Sequence, residues 1–379
     1  VNDAVTRLRL ARAEGVGPIT YRRLLHRFGS AGAALEALPR LAEAGGRPLA
    51  PAVPQGAFIR AELDRLHQIG ARVMIWGDPD YPPLLARVED APIVLSVLGD
   101  AGALSARAVA VVGSRNASAN GQRLAETLGR DLALADLMVV SGMARGIDAA
   151  AHEGALRAGA TVACVAGGLD QPYPPEHAGL QARIARAGAV VTEAPLGTAP
   201  QARHFPRRNR IIAALSLGVV VVEAALRSGS LTTARMALDY NRDLFAVPGS
   251  PLDPRCRGAN DLIRQGARLT ETVADILETL REPGQWSPAE PAPAPFAALS
   301  GLFEGGETDI PDERWALRVL PNLMSPSPTS VDDLIRRCQL PAAAVNAALL
   351  DLELAGRVQM LPGNRAALLI EPEADGLRP

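Results

Sequence analysis

Residues 108–118 read AVAVVGSRNAS. Five small apolar residues in succession, cut off by a glycine and a run of polar residues, describe a short strand buried on both faces. The same unit recurs downstream. Strands are expected at Ala108–Val112, Leu137–Val140, Thr161–Ala166, Ala189–Thr192, Val219–Glu223 and Leu244–Val247, and helices lie between most of them, at Gly121–Ala135, Ile147–Ala158, Pro175–Ala187 and Leu231–Asn241. Near-continuous apolar strands alternating with helices predict an α/β architecture: a doubly wound, Rossmann-like parallel sheet covered on both faces. Ligands of such sheets bind outside the carboxyl ends of the strands, so function is expected in the residues just after each strand.

Those residues share a chemistry. The first strand ends in Gly113-Ser114-Arg115-Asn116, with Ser118 and Gly121 nearby: a glycine turn, a hydroxyl, an arginine and helix N-terminal amides, which together suit a phosphate. The second ends in Ser141-Gly142-Met143-Ala144-Arg145-Gly146, followed by Asp148 as a helix cap and His152 as a packed histidine. The third ends in Gly167-Gly168-Leu169-Asp170, then Tyr173-Pro174-Pro175-Glu176, where Glu176 suits a helix N-terminus after two prolines. Phe205-Pro206-Arg207-Arg208-Asn209-Arg210 opens an otherwise apolar helix behind a cationic mouth, and Ser228, Gly229 and Ser230 lead into another helix. The arginines 115, 145, 207, 208 and 210 are expected around one crevice.

Composition agrees. The chain of 379 residues has 39 fixed cations, and every one is arginine; there is no lysine. This excludes Schiff-base chemistry and a phosphate-loop lysine, and leaves a cation suited to bidentate contact with phosphate. The net charge of −2 hides an asymmetry: residues 105–270 hold 19 Arg against 13 acids, whereas residues 271–379 hold 8 Arg against 17. Aromatics are only 3 % of the chain, so phosphate contacts rather than base stacking are expected to dominate any nucleic-acid binding, making it salt-sensitive and nearly sequence-independent. No nucleophile elbow, Walker loop, H-E-x-x-H or paired C-x-x-C occurs, and the histidines lack metal-like spacing. A non-enzymatic protein without cofactor or metal is expected. Cys164, Cys256 and Cys338 read as buried free thiols of a cytoplasmic protein. No signal peptide or membrane span is apparent, and with Val at position 1 an initiator upstream of it is the expectation.

The flanks differ from the middle. Residues 1–76 read as short helices, with Gly15-Val16-Gly17-Pro18 between two of them in the manner of a helix-hairpin-helix. Residues 77–282 hold the Rossmann-like domain with the segment that leads into it, including a short strand near Ile93–Leu98. Residues 283–311 are a Pro-rich linker, residues 312–370 a winged helix-turn-helix, and residues 371–379 a disordered tail.

In order along the chain, DYPPLL (Asp80–Leu85), VAVVGSRNAS (Val109–Ser118), VSGMARGIDAAAHEGAL (Val140–Leu156), GLDQPYPPEH (Gly168–His177), FPRRNRIIAALS (Phe205–Ser216), VVEAALRSGSLTTA (Val221–Ala234), FAVPGS (Phe245–Ser250) and GANDLIRQGA (Gly258–Ala267) resemble the DprA/Smf family of DNA-processing proteins of bacterial natural transformation. The resemblance implies a protein that binds single-stranded DNA through the Rossmann-like domain, forms a homodimer through it, and helps load RecA on strands coated by single-strand-binding protein. It implies DNA contact by Arg115, with Gly113 and Ser114 beside it, and a basic pocket lined by Phe205–Arg210. It also implies a SAM-like N-terminal helical domain and a C-terminal winged helix. Two departures stand out. Some members carry a DNA-contacting lysine where this chain has Pro175. The helix expected over Leu340–Ala355 has no arginine and includes Asp351 and Glu353, which predicts protein contact or packing rather than tight DNA binding. Two other functions stay open on the residues. One is a phosphoribohydrolase-like nucleotide-processing enzyme, for which Ser228–Ala234 lacks the paired glycines and the glutamate. The other is a winged-helix transcriptional regulator.

Overall fold

The structure is a computed structural model that describes residues 2–46, 51–280, 311–338 and 340–369. The expected linker, apart from Pro311, and the expected disordered tail lie outside the described residues. Two compact units are present, one from residues 1–60 with 288–379 and one from residues 61–287.

The chain starts with helices α1 (Asn2–Ala11), α2 (Pro18–Phe28), α3 (Ala31–Ala44) and α4 (Gly56–Gln68). Pro18 opens α2 with its φ already set for a helix, and the Ser30 hydroxyl caps α3 by accepting from Ala33 N at 3.2 Å.

The larger unit continues with β1 (Ala71–Ile75), α5 (Pro83–Ala86), β2 (Val94–Gly99) and β3 (Ala108–Gly113). Then come α6 (Ala119–Leu134), β4 (Met138–Ser141), α7 (Ile147–Ala155), β5 (Thr161–Cys164), α8 (Ala178–Ala187) and β6 (Ala189–Thr192). It closes with α9 (His204–Leu215), β7 (Gly218–Val222), α10 (Ser230–Asp239), β8 (Asp243–Ala246), α11 (Arg257–Arg264), β9 (Arg268–Leu269) and α12 (Val273–Leu277). The nine strands form one sheet in the order β1-β2-β6-β5-β4-β3-β7-β8-β9. All pairings from β6 to β9 are parallel, while β1 pairs with β2 and β2 with β6 antiparallel. The chain steps outward from β3 to β6, then crosses to the other side of β3 for β7, so the order reverses between β3 and β7.

Alternation within the strands builds the two faces. Ala110, Val112, Val140, Val162, Val219 and Val221 pack in one core, and Val109, Val111, Val139, Val220 and Val222 in the core on the opposite face. The strand Ala71–Ile75 corrects the wholly helical reading of residues 1–76. It is a five-residue edge strand with Arg72 exposed, and its pairing with β2, Ala71 opposite Leu98 and Ile75 opposite Val94, specifies it rather than its own composition.

In the other unit, α13 (Pro311–Leu323), β10 (Thr329–Ser330), α14 (Val331–Cys338), α15 (Ala342–Leu354), β11 (Val358–Leu361) and β12 (Arg365–Leu368) form a winged helix with an antiparallel sheet ordered β10-β12-β11. Its core joins Leu320, Leu334, Val345, Leu349, Leu352 and Val358, and draws in Ile19 from α2. No helix among the described residues is long and apolar enough to cross a membrane.

Candidate functional site

Helix α9 enters the sheet edge with its charges first. Successive residues of a helix rotate by about 100°, so neighbouring arginines cannot share a destination. Arg207 stays exposed to solvent. Arg208 turns inward and is only 5 % exposed. Its Nη1 stands 3.7 Å from the Asp148 carboxylate, which is equally buried at the start of α7. Gly142 makes this path: a Cβ there would lie 1.1 Å from Arg208 Nη1. Burial pulls the Arg208 pKa down and pushes that of Asp148 up, and the attraction between them only partly offsets it. The cation thus keeps Asp148 as its counter-ion, with its Nε buried and without a hydrogen-bond partner.

Above Arg208 the side chains converge. The Phe205 ring takes the Arg115 guanidinium at 4.8 Å and that of Arg208 at 5.7 Å, while Tyr173 meets it edge-on at 5.7 Å. Arg145 reaches from the β4 loop to Glu176 and is held there by an exposed ion pair that keeps the Glu176 carboxyl below its usual range. Together Arg115, Arg145, Arg208, Gly142, Phe205 and Tyr173 line a cavity of about 340 Å³ over the ends of β3, β4 and β5. Asn116, Gly167 and Gln171 also line it. Three guanidiniums and two aromatic rings around a cleft of ligand size suit an anion attached to a flat or apolar group.

The neighbouring strand end is closed. Glu223 follows β7 and is 9 % exposed. Its carboxylate accepts from Ser118 N at 2.8 Å and from the Ser118 hydroxyl, whose oxygen in turn accepts from Gly121 N at 2.9 Å. The α6 N-terminus beside the reversal of strand order, where Rossmann folds commonly seat a phosphate, therefore already holds a protein carboxylate. Arg115 serves the cavity, not the helix amides.

The remaining sequence candidates are dispersed. Gly113 pairs with Val222 inside the sheet, and Ser114 Oγ accepts from Asn116 N at 3.2 Å. The Ser141 hydroxyl donates to Val111 O at 2.6 Å, and Gly168 N to Thr198 O at 2.9 Å. Arg210 is buried in an ion pair with Glu193 at the end of β6. Asn209 Nδ2 donates to Gly229 O at 3.4 Å, and the hydroxyls of Ser228 and Ser230 lie 2.6 Å apart. None of residues 207, 209, 210 and 228–230 lines the cavity. Of the five arginines expected around one crevice, Arg115, Arg145 and Arg208 line this cavity.

His152 and Asp148 have different fates. His152 Nδ1 donates to the Thr161 hydroxyl at 2.8 Å, because that hydroxyl donates onward to Val139 O at 2.7 Å. Burial lowers its pKa to about 3, so it stays neutral. Asp148, expected as a cap, accepts from Ala144 N at 3.4 Å but is chiefly the counter-ion of Arg208. Sequence reasoning did not single out Tyr173 as a site residue, nor Asp148 and Glu223 as charge partners, and it reached Phe205 only as part of the pocket-lining segment Phe205–Arg210 that the family resemblance implied. The one usable signal was the position of Phe205 and Tyr173 within the two loops that carry the charges.

The family model described as DNA recombination-mediator protein A matches residues 72–281, a DprA-like N-terminal HHH domain matches residues 1–64, and a DprA winged helix domain matches residues 308–364. Protein Smf of Escherichia coli (strain K12) is 40 % identical over 293 residues, 76 % of this chain and 75 % of that protein. The crystal structure of DNA processing protein A from Streptococcus pneumoniae superposes with a TM-score of 0.63 at 34 % identity, covering 74 % of this chain and 99 % of that one. DNA processing protein A from Helicobacter pylori, whose structure is described for its unique single-stranded DNA binding mode, superposes with a TM-score of 0.50 at 30 % identity, over 55 % of this chain and 95 % of that one.

Proposed function

The chain belongs to the DprA/Smf family, and on that premise we propose that its cavity grips the phosphates of single-stranded DNA. In this reading the protein is a non-catalytic mediator that protects single strands and helps load RecA, acting in the cytoplasm as a homodimer through the sheet domain and meeting strands coated by single-strand-binding protein. The observation that carries the DNA part is the convergence of Arg115, Arg145 and Arg208 on one cavity, three guanidiniums against the two carboxylates of Asp148 and Glu176. An entering phosphate adds the negative charge that balances them. Tyr173, 46 % exposed at the wall, offers a ring to the adjoining base. Where contacts to phosphate dominate over contacts to bases, the grip is sequence-tolerant.

Arg145 is assigned the task that a lysine at position 175 performs in some relatives. Its guanidinium is held by Glu176, the residue next to Pro175, so a cation stands at that loop without one being encoded in it. Phosphate replaces Glu176 as its partner on binding.

A salt titration tests the assignment. Arg115→Ala weakens single-strand binding by about tenfold or more, and lowers the slope of log K against log salt by about 0.7, one phosphate's share on a single strand. Unchanged affinity and slope in a folded variant overturn the site.

A further inference from the structure

Helix α15 occupies the position by which a winged helix lies in a DNA groove, yet its sequence, AAAVNAALLDLEL, has no polar face. A helix apolar all round is covered on more than one side. Val345, Ala348, Leu349 and Leu352 lie in the winged-helix core. Ala344, Leu350, Asp351 and Leu354 are nevertheless also buried.

The N-terminal helices provide the cover. At Gly45, just past α3, a Cβ would stand 2.0 Å from Asp351 O and 2.8 Å from the Ala355 Cβ, so two backbones touch there. At Gly15, in the turn before α2, it would lie 3.8 Å from Leu354 O. Arg27 of α2 reaches Asp351 at 3.5 Å, where the carboxylate is 3 % exposed. Glu353 hydrogen-bonds Thr20 of α2 and accepts from Met360 N at 3.1 Å, and burial raises its pKa. The residues α15 leaves most exposed are Ala342 and Asn346, which bring no cation to a phosphate.

We propose that α15 is a protein-docking helix whose occupant is this chain's own N-terminal helices, and that this contact, latched by Arg27 and Asp351, closes the winged helix to duplex DNA. Gly15, at the start of the turn before α2, lies against the C-terminal end of α15. The inference stands apart from the cavity of the sheet domain and survives its failure.

The test uses the full chain with a specific protease site placed between residues 288 and 307. After cleavage the winged-helix fragment co-elutes with the remainder in gel filtration. Gly45→Leu releases it: Gly45 has an ordinary helical φ of −72°, so a side chain there strains nothing but the contact. Arg27→Glu sets a carboxylate against Asp351 and weakens retention by about tenfold or more. Release by either variant supports the docking. Free elution of the wild-type fragment, or retention by both variants, overturns it. So does loss of duplex binding by the uncut chain on Asn346→Asp, because that requires α15 to lie against DNA.

Discussion

Two places along one edge of the sheet are built in opposite ways. Beside β3 and β7, where a Rossmann fold commonly seats a phosphate at a helix N-terminus, Glu223 already occupies the amide and hydroxyl of Ser118. Over β3, β4 and β5, the chain instead leaves a cavity and aims Arg115, Arg145 and Arg208 into it. The first place has its negative charge built in; the second has a surplus of positive charge held partly out of water. On the proposed reading, the contrast teaches that anion recognition here passes from backbone amides to arginine side chains. Amides at a helix end fix one phosphate in one orientation, whereas guanidiniums on three separate loops fit a strand whose phosphates turn freely.

The sharpest way to break the contrast is at its most buried charge. Arg208→Ala strips the counter-ion from Asp148 and is expected to cost about 3–5 kcal/mol of unfolding free energy. Chemical denaturation checks this, and Arg208→Met with Asp148→Asn recovers most of the loss. If the single variant is as stable as the parent, the buried pair is not what shapes the cavity floor.

Next is the pH response of the dry floor behind it. The folded pKa of His152 is lowered to about 3 from 6.5, so the folded protein binds fewer protons than the unfolded chain between those values. Its contribution is fully present above pH 6.5 and fades on acidification toward pH 3, by about 1.4 kcal/mol per pH unit. Thermal melts across this window flatten in His152→Gln; an identical profile in the variant contradicts a buried neutral imidazole.

Glu223→Gln probes the filled place. Hydrogen bonds to a charged acceptor contribute about 1.5–3 kcal/mol, so stability falls by roughly that much or less, while single-strand affinity stays within about twofold. A large gain in affinity would reveal a second anion site at α6 and dissolve the contrast. The smallest effect is expected at the rim: Arg145→Ala lowers affinity by about threefold, because its exposed pair with Glu176 already competes for the guanidinium. A loss equal to that of Arg115→Ala would move Arg145 to the centre of the site.

Much of this was legible beforehand. Runs such as Ala108–Val112 and Ala189–Thr192 are strands because only burial on both faces tolerates so many consecutive apolar residues, and all six expected strands of the parallel region are present. Ala71–Ile75 was not legible, since an edge strand draws its identity from β2. The loops that carry the cavity were legible as glycine turns with arginines. Their division of labour was not: Phe205–Arg210 reads as one cationic cluster, but the helix sends Arg207 to solvent, Arg208 to the cavity and Arg210 to Glu193.

The sequence by itself determined the layered α/β plan, the cationic middle and acidic end of the chain, and the choice of arginine as the only fixed cation, because periodicity and composition are properties of neighbours along the chain. Only the tertiary structure decided which arginines act together, that Glu223 fills the strand-order reversal, and that α15 is covered by helices more than three hundred residues earlier. Those outcomes depend on which side chains meet across loops, and on whether a buried charge finds its partner, which no local pattern records.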